Sequence, residues 1–256
     1  AAHVELLEHC VKKEIEFLST GFDIASVDML IDLGVSYIKI PSGEVTNLPY
    51  LRHVGASGKK LILSTGMANL QDVSAALNAL VEAGSTRDRI TVLHCTTAYP
   101  TSMEDANLRA MTTMRDELDV AVGFSDHTVG IEAAIAAVAL GASVIEKHIT
   151  LDRGMPGPDQ KASIEPDELK AMVSAIRNVE IALGDGVKRV TPAEAANIAF
   201  ARKSIVACRA IRAGEIFDEQ NIAPMRPGTG ISPMRWDEVI GQAASRDYQV
   251  NELIEL

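Results

Sequence analysis

Apolar and polar positions along the chain follow two alternating rhythms. Short apolar runs at 17–20, 37–42, 61–66, 90–96, 120–126 and 144–150 each close on small or polar residues. Between them, at 25–33, 48–56, 70–83, 103–118 and 130–140, apolar residues recur at three- and four-residue spacing, usually up to a glycine or an acidic turn. The first rhythm predicts strands and the second helices, so the pattern is that of a parallel α/β protein. The first fifteen residues form another helical pattern with no capping residue ahead of them, and we expect Ala1 to fall inside a domain. A last helix at 166–183 has Glu165, Asp167 and Glu168 at its start, where the helix dipole favours acids. Beyond it the texture changes. A polar, proline-containing connection at 185–201 leads into short segments with RAIRAGEIF, RPGTGISPM and the lone Trp236. The expected organisation is therefore a domain at 1–184, a linker at 185–201 and a small, largely irregular domain at 202–256.

The stretch 123–159, GFSDHTVGIEAAIAAVALGASVIEKHITLDRGMPGPD, organises the rest. One apolar run ends in Ser125, Asp126 and His127, the next in Glu146, Lys147 and His148, with an alanine-rich amphipathic helix between them. Such side chains are costly in a packed core unless something pairs with them. A parallel crossover returns both strands in one direction, so both clusters fall at the C-terminal edge of one sheet, with His127 and His148 expected across one mouth. Strict alternation sends Lys147 and His148 to opposite faces, so the strand is expected to twist or end there if both are to reach it.

Two architectures fit this alternation. A doubly wound sheet carries its ligand at one switch point, whereas a barrel builds its site from all of its strand-to-helix loops. Here KIPSGE, LSTG, HCTTAYP, GFSDHT and EKHIT all end strands in candidate chemistry, which favours the barrel. Six strands are two short of closing one, so either two precede Ala1 or the barrel reading fails.

Composition narrows the function classes. With 24 basic and 35 acidic residues the chain carries −11 charges, which disfavours nucleic acid and means that an anionic substrate needs a local cationic pocket. No apolar run approaches membrane-spanning length and no secretory pattern opens the chain, so we expect a cytoplasmic protein with no membrane partner. Cys10, Cys95 and Cys208 form no CxxC pair, which argues against a disulfide framework or a structural zinc site. GxGxxG, Walker A and HExxH motifs are absent.

The segments FLSTGFD, KIPSGEVTNLPYL, LILSTGMA, LHCTTAYPT, GFSDHTVGIEAAIAAVALGA, VIEKHITLDRGMPGPDQKASIEPDELKAMV, ARKSIVA and RPGTGISPM resemble, in order and spacing, the bacterial sialic acid synthases, the N-acetylneuraminate synthase family. The resemblance runs over essentially the whole chain. It implies a (β/α)8 TIM barrel, here without the family's first two strands, followed by an antifreeze-like (SAF) domain. The implied assembly is a domain-exchanged homodimer whose small domain roofs the partner's barrel. The implied reaction condenses phosphoenolpyruvate with an N-acetylmannosamine-type aldehyde, using a divalent metal, typically manganese, with magnesium or cobalt as alternatives. Thr97 stands where many members carry Asn.

The same resemblance assigns His127 and His148 as metal ligands, and Lys39 and Lys147 as phosphoenolpyruvate-binding lysines with Ser42, Ser64 and Ser125 as hydroxyl donors. Glu44 becomes an active-site carboxylate that handles protons, Asp159 a residue near metal and sugar, and Tyr99 a sugar-side residue. Arg226 becomes the small-domain arginine that reaches the partner's N-acetyl subsite. Each has an ordinary reading beside this one: a hydrogen-bonded core histidine, a solvated lysine or arginine, a serine turning the chain after a strand. Asp126 and Glu146 read as orienters of the imidazoles or as ion-pair partners, the latter preferred for Glu146, and Cys95 as an inert thiol. The expected activity is a carbon–carbon bond-forming transferase. Its rivals are a legionaminic acid synthase, another phosphoenolpyruvate aldol-type synthase, a sugar-binding or assembly module without catalysis, and, more weakly, a metal-dependent hydrolase.

Overall fold

The computed structural model describes residues 2–256. The chain divides into two compact units between Asp185 and Gly186. In the first, α1 (Ala2–Lys12) and α2 (Ile24–Asp32) lead to β1 (Tyr37–Ile40), α3 (Leu48–Gly55), β2 (Lys60–Ser64), α4 (Leu70–Glu82) and β3 (Ile90–Cys95). These are followed by α5 (Arg109–Leu118), β4 (Ala121–Asp126), α6 (Glu132–Ala139), β5 (Ile145–Lys147) and α7 (Pro166–Leu183). Local chemistry sets several helix starts: Asp23 accepts from the Ser26 amide at 2.7 Å, and reciprocal capping pairs Asn69 with Asp72 and Glu165 with Glu168.

All five strands are parallel and pair in the order β1-β2-β3-β4-β5. A doubly wound sheet reverses its order at a switch point; this one advances in a single direction, as a barrel does. Of the two architectures the sequence left open, the fold is therefore the barrel type, with these strands forming an arc of it. Alternation sorts the strand residues cleanly. Ile38, Ile40, Leu61, Leu63, Val92, Val122, Phe124 and Ile145 pack into one core with the helices, against Leu30, Val54, Leu77, Met111 and Ala137. Their neighbours along each strand point the other way, toward the inside of the arc.

The run 17–20 makes no strand; Thr20 bridges Lys39 once, in parallel. As an edge segment it has a partner on one side only. The helix expected at 103–118 is two pieces. A 3-10 turn at Met103–Asp105, capped by Ser102, gives way to Asn107 in the left-handed region at φ 39°, and α5 begins afterwards. The run expected at 144–150 ends as a strand at Lys147, after which Ile149 makes one bridge to Ile164.

The second unit begins with α8 (Pro192–Ala195) and α9 (Ile198–Ala201), two short helices within the stretch that the sequence suggested as a polar, proline-containing linker. Thr191 and Glu194 cap the first reciprocally, and Pro192 sits where a missing amide costs nothing. β6 (Ser204–Ala207) and β7 (Ile222–Met225) then pair antiparallel, and α10 (Trp236–Val239) follows. Ile205, Ile211, Phe217, Ile222, Val239, Tyr248 and Ile254 form this unit's own core. Among the described residues no helix is long and apolar enough to cross a membrane.

Candidate active site

Each strand of the arc gives one inward residue near its C-terminal end to a single cavity of ≈ 240 Å³: Lys39 from β1, Ser64 from β2, Cys95 from β3, Ser125 from β4 and Glu146 from β5. The loops beyond the strands add Ser42, Tyr99, His127 and His148. A larger cavity of ≈ 600 Å³ lies beyond Met67, Cys95 and Thr97, lined by residues of α4 and α5 with Arg109 and His94 among them; it holds no carboxylate and neither facing imidazole, whereas the smaller one combines cation, carboxylate and both rings.

His127 and His148 do face each other, with ring centroids 5.3 Å apart. The Nδ1 of His127 lies 2.8 Å from the Thr96 carbonyl, which only accepts, so Nδ1 carries the proton and Nε2 is left with its lone pair. Burial, against the opposing Thr96 hydrogen bond, holds this imidazole below its ordinary pKa, so it is neutral at pH 7. His148 places Nδ1 3.8 Å from Asp159 Oδ2. The Tyr99 ring packs at 4.1 Å from His127 and 5.6 Å from His148, and burial first, with Cys95 and Asp159 adding to it, raises its phenol pKa.

On the other side, Lys39 is 5% exposed and sets its ammonium 3.5 Å from Glu146 Oε2. Ser125 donates to Glu146 Oε1 at 2.7 Å. Ser42 accepts from the Gly66 amide at 2.9 Å and lies 3.3 Å from Cys95 Sγ. Ser64 has a buried hydroxyl with no hydrogen-bond partner. A Cβ at Gly66 would stand 2.2 Å from Thr97 Oγ1, so only glycine allows this close approach of the two loops.

Four predicted site residues lie outside this lining: Asp159, which faces His148 from beyond it, and Lys147, Glu44 and Arg226. Lys147 takes the helix-facing side of β5, where its ammonium is 2.7 Å from Asp126 Oδ2 and 2.8 Å from the Thr128 carbonyl. With Lys147 turned outward, alternation by itself puts Glu146 and His148 on the inner face, so no twist is needed to bring the lysine to the mouth. Glu44, on the 3-10 turn Ser42–Glu44, accepts from Asn47 at 2.5 Å beside the cavity. Arg226 belongs to the second unit, exposed, with Nε donating to the Ala201 carbonyl at 3.1 Å. The sequence reading preferred Glu146 as an ion-pair partner, which it is, and missed it as a cavity group. Alternation counted back from His148 would have found it.

Ion-binding side chains drawn from five consecutive strand ends are the arrangement of a (β/α)-barrel enzyme site. The chain belongs to the NeuB family, whose profile matches residues 1–188, and a SAF domain follows at residues 202–254. It is 53% identical over 253 residues to the N,N'-diacetyllegionaminic acid synthase of Campylobacter jejuni, covering 99% of this chain and 76% of that one. The enzyme of the same name from Legionella pneumophila is 44% identical over 245 residues, covering 95% and 69%. A crystal structure of the N-acetylneuraminic acid (sialic acid) synthetase of Leptospira borgpetersenii superposes with a TM-score of 0.71 at 36% identity, covering 76% of this chain and 67% of that one.

Proposed function

We propose that this chain is a sialic acid synthase-type transferase. It joins phosphoenolpyruvate to an N-acetylmannosamine-type sugar with water, giving a nonulosonic acid and phosphate. The observation that carries the reading is the shared cavity, in which a buried lysine and an unpartnered buried serine hydroxyl lie beside two facing imidazoles. Phosphate and carboxylate on one small molecule call for a cation and short donors from several elements, which Lys39, Ser42 and Ser64 supply. Ser125 already donates to Glu146 and so orients that carboxylate.

In the reaction C3 of phosphoenolpyruvate attacks the aldehyde carbon and water adds at C2. Phosphate then leaves by C–O cleavage, giving a 2-keto-3-deoxy sugar acid. Glu146, beside Lys39 and inside the cavity, is the carboxylate that takes the proton of the added water, in preference to Glu44 outside the lining. Lys39 offsets the charge on the departing phosphate. Tyr99 and Asp159 serve the sugar side.

His127 and His148 would hold a divalent ion, manganese first, magnesium or cobalt as alternatives. The fit rests on two facing imidazoles, one of them neutral with its Nε2 lone pair free, which leave the remaining coordination positions to substrate oxygens and water. Among the described residues no group of three or more His, Cys, Asp or Glu side chains converges for this purpose, so the protein's share is the two rings. When bound, such an ion supplies Lewis acidity at the sugar's aldehyde oxygen.

A 2,4-diacetamido sugar is the second substrate reading, favoured by the identity to two legionaminic acid synthases. The chain works in the cytoplasm as a domain-exchanged homodimer in which Arg226 reaches the partner's N-acetyl subsite, a reading supported by the SAF match and the exposure of Arg226. Phosphate release from phosphoenolpyruvate with manganese and each sugar, with mass spectrometry of the product, tests the reaction and the choice of sugar. Calorimetric binding of phosphoenolpyruvate with no phosphate released for any acetamido sugar would instead support a module without catalysis.

A further inference from the structure

We propose that Lys147 and Asp126 form a clasp that sets His127 against His148, both acting as positioning residues; the inference rests on the two-imidazole reading of the site. The pair stands at matched register on β4 and β5, Asp126 opposite Lys147, on the side of the sheet away from the cavity. Both side chains are sealed from solvent, at 0% and 2% exposure. Lys147 donates to Asp126 Oδ2 at 2.7 Å and to the Thr128 carbonyl at 2.8 Å. Asp126 Oδ1 accepts from both the amide and the hydroxyl of Thr128, at 2.8 and 2.7 Å. One ammonium therefore anchors the residues immediately before and after His127, and it belongs to the residue immediately before His148.

This arrangement does what a substrate-binding lysine could not. To reach the cavity, Lys147 would have to cross the sheet and leave a buried carboxylate without its counter-charge, which is strongly unfavourable. Held where it is, it fixes the strand ends from which both rings project. The Thr101 amide, 2.9 Å from the His127 carbonyl, secures the same loop from its other flank. Because the strand faces alternate, a positioning group on the helix side and two ring-bearing residues on the inner side follow from the same few residues of backbone.

The test uses the full chain with Lys147→Met, and with Asp126→Asn as a near-isosteric second variant should the first fail to fold. Positioning predicts that manganese affinity, read by calorimetry, falls about 10–100-fold, as loss of groups that orient metal-bound histidines does. The KM for phosphoenolpyruvate should stay within about threefold, since no uniform binding contact is lost. A KM raised more than about tenfold with manganese affinity unchanged would make Lys147 a substrate ligand and overturn the proposal. A crystal structure of either variant with both imidazoles within about 0.5 Å of their original places would overturn it too. If the unmodified chain takes up no manganese, the metal reading fails by itself, and the ring positions in the variant structure decide the clasp.

Discussion

Ser125 and Glu146 meet across the β4–β5 pair, the serine hydroxyl donating to Oε1 at 2.7 Å while the second carboxylate oxygen lies 3.5 Å from Lys39. The ends of β1, β4 and β5, the first from the opposite end of the arc, thus hold one carboxylate at a fixed place inside the cavity. Glu146→Gln keeps the shape and removes the base. We expect kcat to fall by about 10²–10⁴, the usual range for a positioned acid or base, with little change in the KM for phosphoenolpyruvate. Steady-state phosphate release checks this, and full turnover would reject Glu146 as the proton acceptor.

Ser64 presents a buried hydroxyl with no partner, which costs stability as long as nothing binds. Ser64→Ala should therefore stabilise the free protein by about 1 kcal/mol. That corresponds to a rise of roughly 2–4 °C in Tm for a chain of this size. The same change should raise the KM for phosphoenolpyruvate. Calorimetric melting and kinetics on one preparation measure both, and a lowered Tm would mean that the hydroxyl is satisfied after all.

His127→Ala takes away the ring whose Nδ1 is committed to Thr96 and whose Nε2 faces the cavity. Metal-dependent phosphate release should disappear while circular dichroism shows the fold retained. Turnover at the original rate would remove His127 from the ligand set.

His94 sits on the helix side of β3, stacked on Phe124 with Nε2 donating to the Ala106 carbonyl at 2.9 Å. Burial holds its pKa below the ordinary 6.5, against the opposing hydrogen bonds to Ala106 and Asn107. As pH falls through 6.5 the unfolded chain takes up this proton first, so stability drops from there down to the folded-state value and levels off below it. His94→Gln should flatten that part of the profile, as urea midpoints between about pH 7 and 5 will report.

Much of the architecture was legible because periodicity is local. The alternation of apolar runs and amphipathic stretches placed α3, α4, α7 and the strands from β1 to β5 to within a few residues. The misses have separate causes: the run 17–20, with a partner on one side only, makes a single bridge, and the helix expected at 103–118 breaks at Asn107, whose left-handed φ no hydrophobic pattern encodes. At the site, motif matching found the histidines and serines. It ranked Lys147 above Glu146 because a motif lists residues without saying which side of the strand each one takes.

Residue order alone determined the strand–helix alternation, the family membership and the side chains available at each strand end, since these depend on neighbours a few positions apart. Tertiary structure decided which of them share a cavity. Parallel register sets Glu146 beside Ser125 and Lys147 beside Asp126, the curl of the sheet brings Lys39 of β1 across to Glu146, and hydrogen bonds between segments far apart in the chain, such as that from His127 to Thr96, set the proton and lone pair of a ring.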